Sequence, residues 1–220
     1  GKTRQDLRGR VIIGTQTLEQ SLDIDADLLI TDLCPMDVLL QRLGRLHRHT
    51  RLETERPEGY RQPRAWVLTP AGHDLNPMLT RARNGLGRFH NGGGVYPDLR
   101  MIEATKRLIL AQPSRQIPAD NRTLVEHATH TEALQAIEKD LGADWQKLGQ
   151  AIEGDTSARK GIGHLHTLPY DDAFGEVLFP DSDQKIATRL GAADRLVTFD
   201  PPQPGPFLQD VKQLALRHHQ

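Results

Sequence analysis

Residues 28–48 read LLITDLCPMDVLLQRLGRLHR and carry the two signals that decide the fold of this chain. The first four residues, Leu28 to Thr31, are apolar or β-branched and predict a buried strand. Cys34-Pro35 ends that strand, and Asp37 is a favourable acid for the first turn of a following helix. The order of strand, break and helix indicates an α/β protein.

The predicted helix has two faces of opposite character. At about 100° per residue, Gln41, Arg45 and Arg48 fall at i, i+4 and i+7 and share one face. Leucines repeat the same spacing on nearly the opposite face: Leu39, Leu43 and Leu46. Guanidinium groups stay charged and match phosphate geometry, so the helix suits a triphosphate or a nucleic-acid backbone. The alternative is an ordinary amphipathic helix with a solvated basic face.

A second apolar run lies upstream of this segment. Val11 to Thr15 predicts another short buried strand, and a polar stretch begins at Thr15-Gln16. In an α/β sheet, polar residues just beyond the carboxyl ends of buried strands line the ligand crevice. Thr15 and Gln16 take that place, so the sequence predicts a polar crevice near the arginine face.

Two blocks of residues resemble the last motifs of superfamily 2 helicases. Residues 15–23, TQTLEQSLD, resemble motif V and its extension, and residues 41–48, QRLGRLHR, resemble motif VI. The block from Glu19 to Asp23 and the RLHRH ending of residues 45–49 make the chain similar to the helicase–nuclease of type I CRISPR systems, which the Cascade complex recruits. The strong resemblance covers roughly residues 10–70.

The resemblance implies a role for each matching residue. Gln41, Arg45 and Arg48 would face the nucleotide, with the two arginines as catalytic fingers that stabilise charge developing on the γ-phosphate. Asp23 lies where the family couples motif V to the ATP-bound state, so it joins the nucleotide-binding residues. The implied contacts to the DNA backbone are Thr15, Gln16, Glu19 and Gln20. Such contacts read no base sequence, as a translocase requires.

The resemblance also implies a fold class and a function. The fold would be α/β: part of the second RecA-like lobe, a parallel sheet flanked by helices, followed by a mostly helical C-terminal region. The function would be the C-terminal portion of an ATP-dependent single-stranded DNA translocase or helicase, which unwinds and degrades Cascade-marked target DNA in antiviral defence. The alternative is a non-catalytic DNA- or protein-binding module with vestigial helicase motifs.

Two motifs that a complete motor needs do not occur in this sequence. They are the phosphate-binding loop and the acidic metal-holding motif of a first lobe, and Gly1-Lys2-Thr3 matches only the end of such a loop. We therefore expect a C-terminal piece that is inactive alone, with ATP and Mg²⁺ bound mainly by a first lobe outside this chain. The implied partners are that first lobe, the nuclease domain of the full enzyme, single-stranded DNA and the Cascade complex.

The composition excludes several classes of protein. A formal net charge of −1 means that the whole chain is not a basic nucleic-acid binder, so any DNA contact requires a local patch. Residues 41–51 contain no acid and supply one, with Arg42, Arg45, His47, Arg48, His49 and Arg51. The single cysteine, Cys34, adjoins a predicted strand, so we expect it to pack in the core. One cysteine cannot form an internal disulfide, which fits a reducing cytoplasm. No apolar run approaches the roughly 18 residues of a membrane span, so we expect no membrane partner.

Four regions are predicted along the chain. Residues 1–72 are the C-terminal half of the second lobe, 73–120 a connecting segment with one helix, 121–200 a helical accessory region, and 201–220 a proline-rich connector and tail. Within them the sequence predicts strands at Arg64–Thr69, Gly161–Leu168 and Arg195–Phe199, helices at Pro97–Leu110 and within 121–152, and a last helix beginning after Pro206. Ten histidines without a Cys₂ pair or a His-Glu-x-x-His frame predict no metal site.

Overall fold

The computed structural model describes residues 9–15, 23–87, 95–165, 194–204 and 210–217. The chain divides into two units, residues 1–77 with 99–141 and residues 78–98 with 142–220. The strands are β1 (Leu28–Asp32), β2 (Arg64–Leu68), β3 (Asp194–Pro204) and β4 (Asp210–Arg217). The helices are α1 (Met36–Leu43), α2 (Asn76–Thr80), α3 (Leu99–Ala111), α4 (Asn121–Thr129), α5 (Thr131–Leu141) and α6 (Ala143–Leu165). None of the described helices is long and apolar enough to cross a lipid bilayer.

The sheet of the first unit is parallel, as predicted. Strand β1 pairs with β2 in a register that runs from Leu28 opposite Arg64 to Asp32 opposite Leu68. Helix α1 lies between the two strands in the chain, which is the strand–helix–strand order of an α/β protein. Both strands were predicted from their apolar runs, and Thr31 is buried as expected.

One face of this sheet stays open among the described residues. Ile30 and Trp66 are register partners and are 53% and 59% exposed, and Leu68 on the same face is 54% exposed. The sequence places Trp66 in a strand, where core packing is commoner than stacking on nucleic-acid bases. The strand is confirmed, and the core packing is wrong because Trp66 is exposed. Parallel strands normally have both faces covered, so this apolar face is an incomplete layer.

The predicted strand from Val11 to Thr15 is wrong. These residues form no strand, and Ile13 is 93% exposed. A β-branched run supplies the local tendency, but a strand forms only where a neighbour pairs with its N–H and C=O groups. Among the described residues, β1 pairs with β2 and the run from Val11 has no pairing strand.

The core of the first unit lies where α1 meets a layer of three helices. Helix α1 packs on α3 and α4, and α3, α4 and α5 pack on one another. The helices bury a continuous set of apolar side chains: Met36, Leu39, Leu40, Leu99, Ile102, Leu124, Ala128, Leu134 and Ile137. Cys34, just before α1, is 0% exposed, which confirms its predicted place in the core. The core therefore holds the apolar face of α1 against α3 and α4 and fixes the position of the C-terminal end of α1.

The helices predicted at Pro97–Leu110 and within residues 121–152 are confirmed, and the second stretch is more divided than its sequence suggests. Helix α3 matches the helix predicted over Pro97–Leu110, whereas residues 121–152 form α4, α5 and the start of α6. The break between α5 and α6 falls at Gly142, whose φ of 91° lies in the left-handed region that ends many helices. The spacing of apolar residues predicts that this stretch is helical, but it does not predict where one helix ends and the next begins.

In the second unit, three predictions are wrong and one is confirmed. Residues 161–165 continue α6, so the strand predicted from Gly161 is wrong there, and residues 166–168 lie outside the described part. The predicted strand at Arg195–Phe199 is confirmed within β3, which pairs antiparallel with β4. Strand β4 replaces the helix predicted after Pro206, because antiparallel pairing satisfies its backbone. Of the prolines predicted as a connector, Pro201 and Pro202 lie in β3 at a register shift between Thr198 and Gln203, where a residue without an N–H is tolerated. Pro204 ends β3 opposite Asp210, and Pro206 lies outside the described residues.

We expect core truncation in α3 to destabilise the first unit and surface truncation of the same helix to leave it stable. Leu99 is 0% exposed and Leu110 is 55% exposed. Leu99→Ala should lower the free energy of unfolding by about 2–5 kcal/mol, because it removes transfer energy and leaves a cavity. The matched control, Leu110→Ala, should change it by less than about 1 kcal/mol. Equal losses for the two variants in chemical denaturation would contradict the described packing of α3.

Candidate functional site

Helix α1 ends at Leu43, so the predicted helical face of Gln41, Arg45 and Arg48 does not form. Gly44 closes the helix with its N–H donating to the Leu40 carbonyl at 2.9 Å. The next two N–H groups bond three residues back, and the chain then leaves the helix axis. The predicted face does not form because glycine favours helix ends, and because the residues after Gly44 hydrogen-bond to the backbone of another segment and not to the helix.

That competing partner is the segment just before β1. The Ala26 N–H donates to the Arg45 carbonyl at 2.9 Å, and the His47 N–H donates to the Ala26 carbonyl at 3.0 Å. These two bonds form an isolated parallel bridge between Ala26 and Leu46. His47 has a φ of 48°, a left-handed value that histidine adopts more readily than most residues. The bridge lays residues 45–49 beside residues 23–27.

An exposed ion pair lies on the outer side of this bridge. The Asp23 carboxylate is 3.3 Å from Arg48 Nε and 3.0 Å from His49 Nε2. The side chains of Asp23 and Arg48 are 70% and 39% exposed, so water screens the attraction. Pairs of this kind contribute about 0–1 kcal/mol. The structure thus brings together Asp23 and Arg48, two of the residues predicted to bind nucleotide, and holds them weakly.

A buried ion cluster lies on the inner side. Arg56 Nη1 donates to Asp27 at 2.9 Å, and Arg56 Nη2 donates to Asp25 at 3.2 Å and to the His49 carbonyl at 3.2 Å. Arg51 Nε also bonds Asp25. The side chains of Arg56 and Asp25 are 5% and 6% exposed. We call Asp25, Asp27, Arg51 and Arg56 the inner cluster; it fastens the segment after α1 to the segment before β1.

The inner cluster shifts the pKa values of two groups. Burial opposes ionisation of Asp25, but hydrogen bonds from Arg51 and Arg56, the charge of Arg56 and a hydrogen bond from the His49 backbone together outweigh it and hold the pKa of Asp25 below its usual range. Burial also lowers the pKa of His47, and the charge of Arg56 lowers it further, while Asp27 and Asp25 offset part of the shift. At neutral pH the cluster therefore contains a charged Asp25 beside an uncharged His47 imidazole.

The other predicted site residues lie in several environments. Gln41 is exposed in the last turn of α1, and Arg45 is half-buried in the turn that follows. Thr15 is exposed in a bend, away from the strand end where it was predicted, because the strand before it does not form. The remaining predicted DNA contacts, Gln16, Glu19 and Gln20, lie outside the described residues.

The basic patch predicted over residues 41–51 is largely neutralised in the fold. Arg42 Nη1 donates to Thr31 Oγ1 at 2.6 Å, so this arginine ties α1 to β1. Arg48 and Arg51 pair with aspartates from the segment before β1. The stretch is free of acids along the sequence, but the fold brings Asp23 and Asp25 beside it. A local charge count cannot anticipate charges that come from about 25 residues away.

The sequence did not predict Asp25, Asp27 and Arg56 as site residues. A signal was present, because Asp23, Asp25 and Asp27 alternate along a segment that leads into a strand and so share one side of it. Arg56 has no such signal, since it lies among charged residues that predict a solvated loop. Within the described ranges, no group of three or more His, Cys, Asp or Glu side chains is arranged to hold a metal ion.

Comparison with known proteins shows which family this chain resembles. Residues 1–51 match the family model for the C-terminal part of the CRISPR-associated nuclease/helicase Cas3. The Cas3 endonuclease/helicase of Thermus thermophilus is 32% identical over 196 residues, which cover 82% of this chain and 20% of that protein. The Cas3 endonuclease/helicase of Escherichia coli K12 is 41% identical over 109 residues, covering 50% of this chain and 10% of the relative. The chain thus spans a fifth or less of these relatives.

A solved structure has the same fold. The crystal structure of T. fusca Cas3-AMPPNP superposes with a TM-score of 0.55 at 28% identity, covering 83% of this chain and 19% of that one. The likeness confirms the α/β class that the strand and helix pattern predicts. It also confirms the family resemblance carried by residues 15–23 and 41–48.

Acid should destabilise the chain in two stages, and His47 should account for part of the first. As pH falls through about 6.5, His47 of the unfolded chain binds a proton, whereas His47 of the folded chain binds one only at lower pH. The free energy of unfolding therefore decreases. Asp25 stabilises the fold above its ordinary pKa of 3.8, and this contribution is lost as pH falls through the lower folded value.

The test compares urea unfolding of the wild type and His47→Asn at several pH values. Asparagine tolerates the left-handed backbone at this position. Between about pH 7 and pH 5, His47→Asn should lose less stability than the wild type. Leu110→Ala, an exposed substitution that removes no titratable group, should keep the wild-type slope. If His47→Asn and the wild type showed the same slope, the lowered pKa of His47 would be wrong.

Proposed function

We propose, on the premise that this chain belongs to the C-terminal region of the Cas3 nuclease/helicases, that it supplies the arginine side of an ATP site. In this proposal the chain works within an ATP-dependent translocase on single-stranded DNA in type I CRISPR interference. The enzyme class rests on the names of the curated relatives, which are endonuclease/helicases. The site assignment rests on the geometry around Arg48.

The observation that supports the assignment is the contrast between the two sides of the Ala26–Leu46 bridge. Arg56 and Asp25 of the inner cluster are 5% and 6% exposed, whereas the Arg48 side chain is 39% exposed and pairs with an exposed Asp23. An exposed pair is easily exchanged, since it contributes about 0–1 kcal/mol. A terminal phosphate carries more negative charge than one carboxylate and accepts the same fork of N–H donors. Arg48 is therefore suited to leave Asp23 for a nucleotide.

The chemistry of the donors fits a triphosphate and does not fit a metal-holding role. Gln41, Arg45 and Arg48 supply N–H donors, and the described residues contain no three-ligand cluster for a cation. We infer that Mg²⁺ and most of the ATP are bound by a first lobe. When bound there, ATP supplies the phosphoryl group that leaves to water. The role of Arg45 and Arg48 is to stabilise the charge that develops on it.

The DNA side of the proposal rests on the residues that match motif V. Thr15, Gln16, Glu19 and Gln20 would contact the backbone of single-stranded DNA, and Asp23 would link that segment to the nucleotide side. The proposed protein partners are the first RecA-like lobe, the nuclease domain and the Cascade complex, in the cytoplasm. The second candidate is a non-catalytic binding module, favoured by the neutralisation of the basic stretch through Asp23 and Asp25.

The test mixes this chain with a chain that carries the phosphate-binding loop and acidic motif of a Cas3 first lobe. We expect single-stranded DNA to stimulate ATP turnover in the mixture and neither chain to turn over ATP alone. Arg48→Ala or Arg45→Ala should lower kcat by about 10³-fold or more, the size of an arginine-finger effect. DNA affinity should stay close to the wild-type value, because these arginines face the nucleotide.

The matched control is Arg122→Ala, whose side chain is 89% exposed on α4. It should retain wild-type turnover. Turnover by this chain alone, abolished by Arg45→Ala, would refute the need for a first lobe. Parallel losses of DNA affinity and turnover in Arg48→Ala would assign that arginine to DNA instead of nucleotide. No turnover in the mixture at high protein concentration would favour the binding module.

A further inference from the structure

We propose that Arg56 is the positioning residue for Arg48, an inference that rests on the proposed nucleotide-facing role of Arg48. The guanidinium of Arg56 joins two segments that are separate in sequence, through Asp25 and Asp27 on one side and the His49 carbonyl on the other. Arg56 lies outside the block that resembles motif VI and has no other assigned role.

The backbone on both sides of Arg48 is fixed by a hydrogen bond. On the N-terminal side, the His47 N–H donates to the Ala26 carbonyl at 3.0 Å. On the C-terminal side, Arg56 Nη2 donates to the His49 carbonyl at 3.2 Å. Both bonds end on the segment of residues 25–27, the second one through Arg56 and its aspartates. Arg48 therefore sits at the middle of a three-residue span that is fastened at each end.

Only one of these two fastenings depends on a side chain. The bond from His47 is made by backbone atoms, so no substitution of a side chain removes it directly. The bond to His49 exists because Arg56 is held in place by Asp25 and Asp27 at 3.2 and 2.9 Å. Without Arg56, the C-terminal end of the span loses the bond to the His49 carbonyl. His49 keeps its contacts with Asp23 and Asp25, but Asp25 then lacks one of the two guanidinium groups that fix it, so the direction of the Arg48 side chain is set less firmly.

The geometry requires a guanidinium and not simply a positive charge. Nη1 of Arg56 donates to Asp27, while Nη2 donates to Asp25 and to the His49 carbonyl. These donors diverge from a planar group, whereas a lysine has one nitrogen at the end of a flexible chain. Arg56→Lys keeps the charge that the buried Asp25 needs and loses the fork. This variant therefore tests the positioning of Arg48 without removing the positive charge beside Asp25, and for that reason it is the variant least expected to unfold.

The first measurement uses the chain by itself. Under native conditions, trypsin should cleave after Arg48 and Arg51 about tenfold faster or more in Arg56→Lys, because cleavage follows the population of the opened segment. The thermal unfolding transition should remain cooperative, and cleavage elsewhere should keep its wild-type rate. Arg122→Lys, an exposed substitution on α4, should change neither result. Unchanged cleavage after Arg48 in Arg56→Lys would overturn the proposal.

The second measurement uses the mixture with a first-lobe chain. Arg56→Lys should lower kcat about tenfold or more while KM for ATP stays close to wild type, because the first lobe holds the nucleotide and Arg48 acts during phosphoryl transfer. A purely structural role for Arg56 would lower the amount of active protein and would leave kcat per folded molecule unchanged. An unchanged kcat alongside faster cleavage would overturn the positioning role.

The two measurements keep this inference apart from the proposed function. If the wild-type mixture does not turn over ATP, the proposed function fails. The trypsin result then still decides whether Arg56 holds the segment that carries Arg48. If the mixture is active and Arg48→Ala abolishes turnover but Arg56→Lys matches the wild type in both assays, the function stands and Arg56 is not a positioning residue.

Discussion

The buried contact of Arg56 with Asp25 and Asp27 is the interaction on which the site depends. Without it, the segment after α1 would keep its two-bond backbone bridge to Ala26 and its pairs with Asp23 and Asp25, but the His49 carbonyl would lose the guanidinium that binds it. Burying charges costs free energy that their attraction recovers only in good geometry, so such a cluster is weak evidence for stability. Its value here is specificity: the three bonds of Arg56 suit one arrangement of the two segments.

The same constraint explains why an arginine-rich sequence does not become an arginine-rich surface. Asp25 and Asp27 pair with Arg51 and Arg56, and Asp23 pairs with Arg48 at the surface. The result is an exposed Arg48 at the edge of a cluster of paired charges, with Gln41 exposed nearby in the chain. An exchangeable arginine suits a site that must bind a phosphate, act on it and release it. A permanently basic groove would suit tight binding instead.

The sequence predicted those features that depend on neighbours along the chain. Strands β1 and β2 and helix α3 follow from local apolar patterns, and the motif blocks gave the family. The features it missed depend on residues far apart in sequence. Helix α1 stops at Leu43 because Ala26 supplies the next backbone partner, and the strand expected from Val11 does not form because the described sheet offers it no neighbour. Arg56 gave no sign of burial, since its aspartates lie about 30 residues away and pairing across that distance leaves no periodic pattern.

The most direct test is a crystal structure of this chain together with a first-lobe chain and AMPPNP. We expect the Arg48 guanidinium to have left Asp23 and to lie within hydrogen-bond distance of the terminal phosphate. We also expect Arg56 still to bond Asp25, Asp27 and the His49 carbonyl. A bound nucleotide with Arg48 still on Asp23, or with the Arg56 contacts broken while Arg48 is on the phosphate, would contradict these expectations.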